Sequence, residues 1–424
     1  MWFSELKTAK NWTWFCFSVS IFILPLFPAI GTLGLIVVLV TVWLNNYGKI
    51  ITSPLNQGLA VLACFLIISS ALAEHSQEAW LGLANFLPFF ALFIALRYLI
   101  TKPVQLRELS WLLILPSLPI VILGWGQMFA AWDTPTFIEA ILGWQLVPQG
   151  VPTGRMSSVF IYTNFLAIYL AIAFILTLGL WLETWQVWQR KSTKLQIQTL
   201  LLLTLILIVD ISGLVLTSSR NAWGLAIFCF IAYAVYMGWR WLVWGVIGAA
   251  TAILWASFVP NLGGTQLRQV VPAFIWARLS DQMYERPVET LRITQWQFCW
   301  DLIRERPLFG WGLRNFTPLY EAKMNYWFGH PHNLFLMLSA ETGIIAAMLL
   351  IAVVALVMFQ AVRFFLDLSG KNFQLIFFSY LLAFTSYIIF NLTDVTIFDL
   401  RVNTFAWILL AAISGVVRKE SQKI

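Results

Sequence analysis

The chain of 424 residues is 60% hydrophobic and 11% charged, with a mean hydropathy of +0.81. Water-soluble domains carry about a quarter charged residues, so this composition excludes a soluble globular enzyme and describes a polytopic membrane protein. The net charge of +7 would suggest nucleic acid in a soluble protein, but in a membrane chain cations first report topology, and no nucleic-acid partner is expected.

Lys7 and Lys10 lead directly into an apolar run without a small-residue cleavage site, so that run is read as the first span. Segments long enough to cross about 30 Å of hydrocarbon fall at 12–29, 30–45, 55–73, 79–100, 109–129, 158–182, 197–216, 221–239, 241–259, 334–359, 373–391 and 402–417. The expected fold is therefore all-α, with about twelve transmembrane helices in a single membrane domain over 1–424. Cys16, Cys64 and Cys229 lie inside apolar segments and Cys299 outside them, which leaves neither a disulfide framework nor a thiolate metal site.

Charge orients the chain. With both termini cytoplasmic, inner segments hold fifteen cations (Lys7, Lys10, Lys49, Arg97, Lys102, Arg107, Arg190, Lys191, Lys194, Arg240, Arg363, Lys371, Arg418, Lys419 and Lys423). The short outer segments hold three, Arg155, Arg220 and Arg401, as the positive-inside rule requires. The other eight lie in a long outer loop, 260–333, between the ninth and tenth spans. Ten of the eleven outer cations are arginine, against six of the fifteen inner ones. Arginine is the better residue where a planar fork must hold a phosphate or carboxylate. Pairing with the loop's own acids is the other explanation: Glu289 with Arg292 and Asp301 with Arg304 are spaced for it, and Arg401 has Asp394 and Asp399 nearby.

Gly154-Arg155 is expected to open the sixth span, with Asn164 two to three turns inside it. Asp210, the acid placed near mid-membrane, is read as a packed group. Thr217-Ser218-Ser219-Arg220-Asn221 joins the seventh and eighth spans on the outer side, with a hydroxyl cap and Arg220 in the first turn. A cation there opposes the helix dipole, which suggests that it has something to bind.

Residues 288–306 read as an amphipathic helix carrying Trp296, Cys299, Trp300 and Ile303 on one stripe below Arg292. It either lies flat in the interface or plugs the bundle. Pro307 ends it, and Gly310-Trp311-Gly312 makes a turn. In His330-Pro331-His332-Asn333, the proline suits a first helical turn, placing His332 and Asn333 at the outer start of the tenth span. Unpaired N–H groups there welcome a phosphate, and the dipole disfavours imidazolium, leaving His332 able to accept a proton. On a regular helix His332, Leu336, Ser339, Gly343 and Ala346 share a face and Glu341 points away. Gly343 and Ala346 would then admit a neighbouring helix beneath the histidine.

These motifs resemble the O-antigen ligase and polymerase superfamily of bacterial inner-membrane enzymes. The ligase signature is His, then Asn, Ser or Gln, nine residues, and Gly-x-x-Gly. Here His332-Asn333 is followed by Gly343, with Ala346 in place of the last glycine. Arg292-x-x-x-Trp296, the run Arg306 to Gly312 and the Ser219-Arg220 step also match, so the resemblance covers about 215–346. It implies a GT-C-like membrane glycosyltransferase facing the periplasm, metal-independent and inverting, with no cofactor. The donor would be an undecaprenyl-diphosphate-linked glycan and the acceptor lipid A-core or another glycan, as in lipopolysaccharide assembly. Arg220 and Arg292 would bind the diphosphate and His332 would activate the acceptor hydroxyl. Arg155, Arg304, Arg314, Arg401 and Asn333 are the further candidates for substrate contacts. The same superfamily includes proteins labelled as bicarbonate transporters, which makes transport the alternative function; a glycan-binding partner without catalysis is a third.

Overall fold

The structure, a computed structural model, describes residues 9–190, 193–280, 288–368 and 373–420. Lys7, Lys191, Lys371 and Lys423, four of the cations that orient the chain, lie outside the described residues. Among the described residues the fold is all helical, and ten helices are long and apolar enough to cross a membrane. The predicted count of twelve is reduced because two of the expected spans form shorter apolar helices, Trp12–Ile23 and Arg220–Tyr236. The first is cut short by turns before Pro28, and the second by Gly238 in the left-handed region.

Burial sorts the helices into a centre and a jacket. Thr163–Arg190 and Leu400–Glu420 are 89% and 94% buried over their apolar windows, whereas Pro28–Ile51 and Arg240–Phe258 are 22% and 11% buried. The two central helices are therefore wrapped by protein on all sides, and the outer ones present Leu33, Val37, Leu44, Trp241 and Trp244 outward, as lipid-facing helices do. Asp210 is fully buried, in keeping with a packed group.

Among the described residues between Arg240–Phe258 and Leu334–Leu366, the helices longer than five residues are Ala273–Leu279, Arg292–Glu305 and Phe316–Met324. The predicted amphipathic helix is present, but its buried face is Gln295, Phe298, Cys299, Leu302 and Ile303. Trp300 is 51% exposed and lies beneath Arg304, whose guanidinium is 5.4 Å from the ring centroid. The helix packs on Phe316, Tyr320 and Ala340 rather than standing free.

Helix Leu334–Leu366 is broken at Gly343, where φ is 82° and ψ is 162°. The break releases the carbonyls of Ala340 and Glu341 from their usual partners four residues on. Trp311 and Gly312 supply the replacements, their N–H groups donating at 3.1 and 2.7 Å, while Ile344 N–H donates to Pro307 at 2.8 Å. The run Pro307–Gly312 is thus stitched into the break, and it is a loop, not the expected neighbouring helix, that approaches here. A Cβ on Gly343 would lie 2.1 Å from the Leu308 carbonyl oxygen, and one on Gly310 would lie 2.5 Å from the Glu341 backbone. Glu341 does point away from the histidines: it is buried and accepts the N–H of Phe316 at 3.1 Å, capping the helix that starts there.

Gly343→Ala is expected to be severely destabilising. That backbone region is almost confined to glycine and costs about 1–3 kcal/mol for another residue, before the clash is counted. The expected outcome is a large drop in melting temperature in detergent; an unchanged melt would mean that the loop is not held at this break.

Candidate functional site

The site assembles at one end of the bundle, where helices Thr163–Arg190, Arg220–Tyr236 and Leu334–Leu366 all begin. A cavity of about 200 Å³ there is lined by Arg155, Arg220, Arg278, Arg292 and His332, with Tyr162 and Asn164 among its remaining walls. Four guanidiniums from four separate stretches of chain thus face one space. Helix N-termini carry partial positive charge and point N–H groups outward, so backbone and side chains favour the same kind of occupant, an anion.

Each arginine is held by the scaffold. Arg155 is buried and donates through Nε to the Thr217 carbonyl at 2.9 Å and through Nη2 to Asn164 Oδ1 at 3.0 Å. Arg220, the first residue of its helix, donates to the carbonyls of Arg278 and Leu279, both at 3.4 Å. Arg278 is 7% exposed and donates to the Ser218 carbonyl at 3.3 Å. Arg292 begins helix Arg292–Glu305, and Trp296, one turn on, donates its indole N–H to the Pro331 carbonyl at 2.9 Å. That bond ties the arginine-bearing helix to the histidine segment.

His332 stands outside the helix it was expected to open. It has φ of 52°, and Asn333 is the N-cap, its side chain accepting from Leu336 N–H. The polar side chain caps better than a proline-led first turn would, so the helix starts at Leu334. Asn333 is therefore engaged in capping at 2.9 Å and is not placed as a glycan contact.

The imidazole of His332 lies against Asp394, with Nδ1 3.3 Å from Oδ1. Asp394 is 1% exposed and also accepts from Val395 N–H at 2.8 Å and from the Asn164 amide. Asn164 sits in the first turn of its helix, since the helix begins at Thr163 and not near 158. A hydrogen-bonded chain Arg155–Asn164–Asp394–His332 results. His330 is the third group on the carboxylate: Nε2 is 3.7 Å from Asp394 Oδ1, and Nδ1 accepts the N–H of His332 at 3.3 Å. Burial, then the neighbouring His332, pushes His330 down to about 4. Burial works to raise Asp394, but the hydrogen bond from His332 and the charges of the two histidines outweigh it and hold the carboxyl below its ordinary range. The carboxylate is thus ionised and His330 neutral near pH 7.

His330, His332 and Asp394 bring three potential metal-ligand atoms within 4.8 Å of one another. The donor set suits a divalent ion, yet the cavity beside it is lined by four arginines, whose charge opposes a cation. The third histidine, His75, lies at the start of helix Ser76–Gly82 and is held to Asn315.

Of the sequence-predicted site residues, Arg155, Arg220, Arg292 and His332 meet at this cavity. Arg314 lines a different cavity and pairs with Glu78 at 3.4 Å. Arg304 is exposed and away from both. Arg401 is 4% exposed and paired with Asp399 at 2.8 Å; it also donates to the Val159 carbonyl at 2.9 Å and lies over the Phe160 ring. It holds the core together and does not reach the cavity. Arg278 and His330 were missed. The first was one of eight cations in the long loop with no motif to single it out, and the second stood beside the histidine that the motif selected.

Geometry and fold together define a multi-pass membrane protein with an arginine-lined anion cavity beside a carboxylate-bound imidazole. Residues 202–351, 150 of the 424 in the chain, match the family model described as O-antigen ligase, so over that stretch the chain is similar to this family. The comparison with curated proteins finds no match.

Proposed function

We propose that the protein transfers a glycan from undecaprenyl diphosphate to an acceptor hydroxyl at the periplasmic face of the bacterial inner membrane, without a metal and with inversion. One observation carries the reading: Arg155, Arg220, Arg278 and Arg292 converge on a single cavity that His332 also lines. Departure of a lipid diphosphate develops negative charge on phosphate oxygens, and fixed guanidiniums stabilise it in place of a metal. With Asp394 ionised, the proton of His332 sits on Nδ1, which leaves Nε2 as the acceptor. Nε2 takes the proton of the acceptor hydroxyl as its oxygen bonds to the anomeric carbon. The bond from that carbon to the diphosphate oxygen breaks with its electron pair, releasing undecaprenyl diphosphate and, on back-side attack, inverting the centre. Transport is disfavoured because the polar groups gather at helix starts at one end of the bundle, whereas secondary transporters bind near mid-membrane; the break in helix Leu334–Leu366 is filled by Pro307–Gly312.

The test is turnover by the purified protein in nanodiscs, supplied with undecaprenyl-diphosphate-linked glycan and glycan acceptors. Undecaprenyl diphosphate should be released only when an acceptor is present, and at the same rate in excess EDTA. Acceptor-dependent release that EDTA stops would remove the metal-independent mechanism; no release in nanodiscs, with bicarbonate flux into liposomes carrying the same protein, would remove the enzyme.

A further inference from the structure

A second cavity, of about 760 Å³, opens on the other side of the histidine pair. His330 lines it while His332 lines the arginine cavity, and the two rings are 4.6 Å apart. The same division continues along one helix, where Asn164 faces the first cavity and Phe165 the second. The lining differs in kind. Here there are two carboxylates, Glu78 and Glu321, to one guanidinium, Arg314, with Asn85, Trp327 and Phe398 completing the recognition surface. Trp327 is 66% exposed, and Phe398 stacks on His330 at 6.2 Å. The volume lies within the usual range for small-ligand sites.

We infer that this cavity seats the acceptor chain, with its reacting hydroxyl extending past His330 to His332, and that it selects an uncharged or amino-substituted sugar chain over a phosphorylated or uronate-bearing one. The inference rests on the proposed transferase reading, since it supplies that reaction's second substrate. An exposed indole gives the apolar face of a sugar ring a surface to cover, and its polar edge is tolerated there. Carboxylates accept from hydroxyls and an amide both accepts and donates, and the charge-assisted bonds that a hydroxyl donates to a carboxylate are the strong ones. Anionic sugars meet the opposite condition: Glu78 is paired with Arg314, and Glu321 leaves the lining with a net negative charge that repels them. A diphosphate is refused for the same reason, so each substrate is steered to its own side of His330 and His332.

Saturation-transfer difference NMR on the nanodisc-embedded protein tests this with maltotriose, mannotriose and chitotriose as neutral probes and trigalacturonate as the acidic one. At least one neutral trisaccharide should give signal and trigalacturonate none. Trp327→Ala should weaken the neutral sugar by about tenfold or more, a change of about 1.4 kcal/mol, and Trp327→Phe should restore most of it. Binding of a polyprenyl diphosphate, followed separately, should be the same in wild type and both variants. Absence of signal from all three neutral sugars, equal signal from trigalacturonate, or an unchanged Trp327→Ala would overturn the acceptor assignment while diphosphate binding leaves the donor reading in place. A wild-type protein that binds no polyprenyl diphosphate would instead remove the donor reading itself.

Discussion

His332→Ala is expected to lower glycan transfer by about 10²- to 10⁴-fold, the usual contribution of a positioned general base. Binding of the donor should survive, because the arginines that line the cavity come from other parts of the chain. Asp394→Asn should lose a comparable amount, since an amide retains shape but can present the wrong group to Nδ1 and no longer stabilises the imidazolium that forms. The informative comparison is the double variant. If Asp394 acts through His332, their 3.3 Å contact makes the two losses non-additive, and His332→Ala with Asp394→Asn should be no slower than His332→Ala alone. Release of undecaprenyl diphosphate gives the rates, and a thermal melt confirms that each variant is folded. A further loss of tenfold in the double variant would show that Asp394 contributes by a separate route, and full activity in His332→Ala would remove the base altogether.

Much of the architecture was legible because a bilayer imposes one strong rule, that a span be long and apolar. Every expected segment falls on an apolar helix, and the two that come out short are those where a turn or glycine cuts the run. The arginine excess was informative for the same reason: cations are scarce in short outer loops, so Arg155 and Arg220 stood out. Arg401 stood out equally, yet it pairs with Asp399 and does not line the cavity; sequence does not say whether an acid two residues away turns toward it. Gly343 was read as a small residue on a continuous face, whereas it marks where that face ends. Periodicity assumes an unbroken helix, and the partners that make the break tolerable, Trp311 and Gly312, lie some thirty residues earlier in the chain. Asp394 shows the same limit more sharply. It meets His332 across 62 positions, and no local pattern announces such a pair.

The arginines are expected to separate into two classes when each is changed conservatively. Arg220→Lys and Arg292→Lys keep the charge and discard the planar fork. If a diphosphate is gripped by paired N–H groups, each change removes one charge-assisted hydrogen bond of about 1.5–3 kcal/mol, so donor affinity should fall by about tenfold to a hundredfold. Melting temperature should move little by comparison, since both residues stand at helix starts, where a cation is already opposed by the dipole. Arg401→Gln should behave in the opposite way. It leaves Asp399, 3% exposed, without its counter-charge, and stranding one member of a buried pair costs about 3–5 kcal/mol. A marked loss of thermal stability is expected in the apo protein, with the affinity of whatever remains folded unchanged. Titration of a polyprenyl diphosphate and a melt on the same three variants read both quantities. Should the lysine variants bind as tightly as wild type, charge alone would suffice and the fork would have no role. A stable Arg401→Gln that bound the diphosphate poorly would reassign Arg401 to the site.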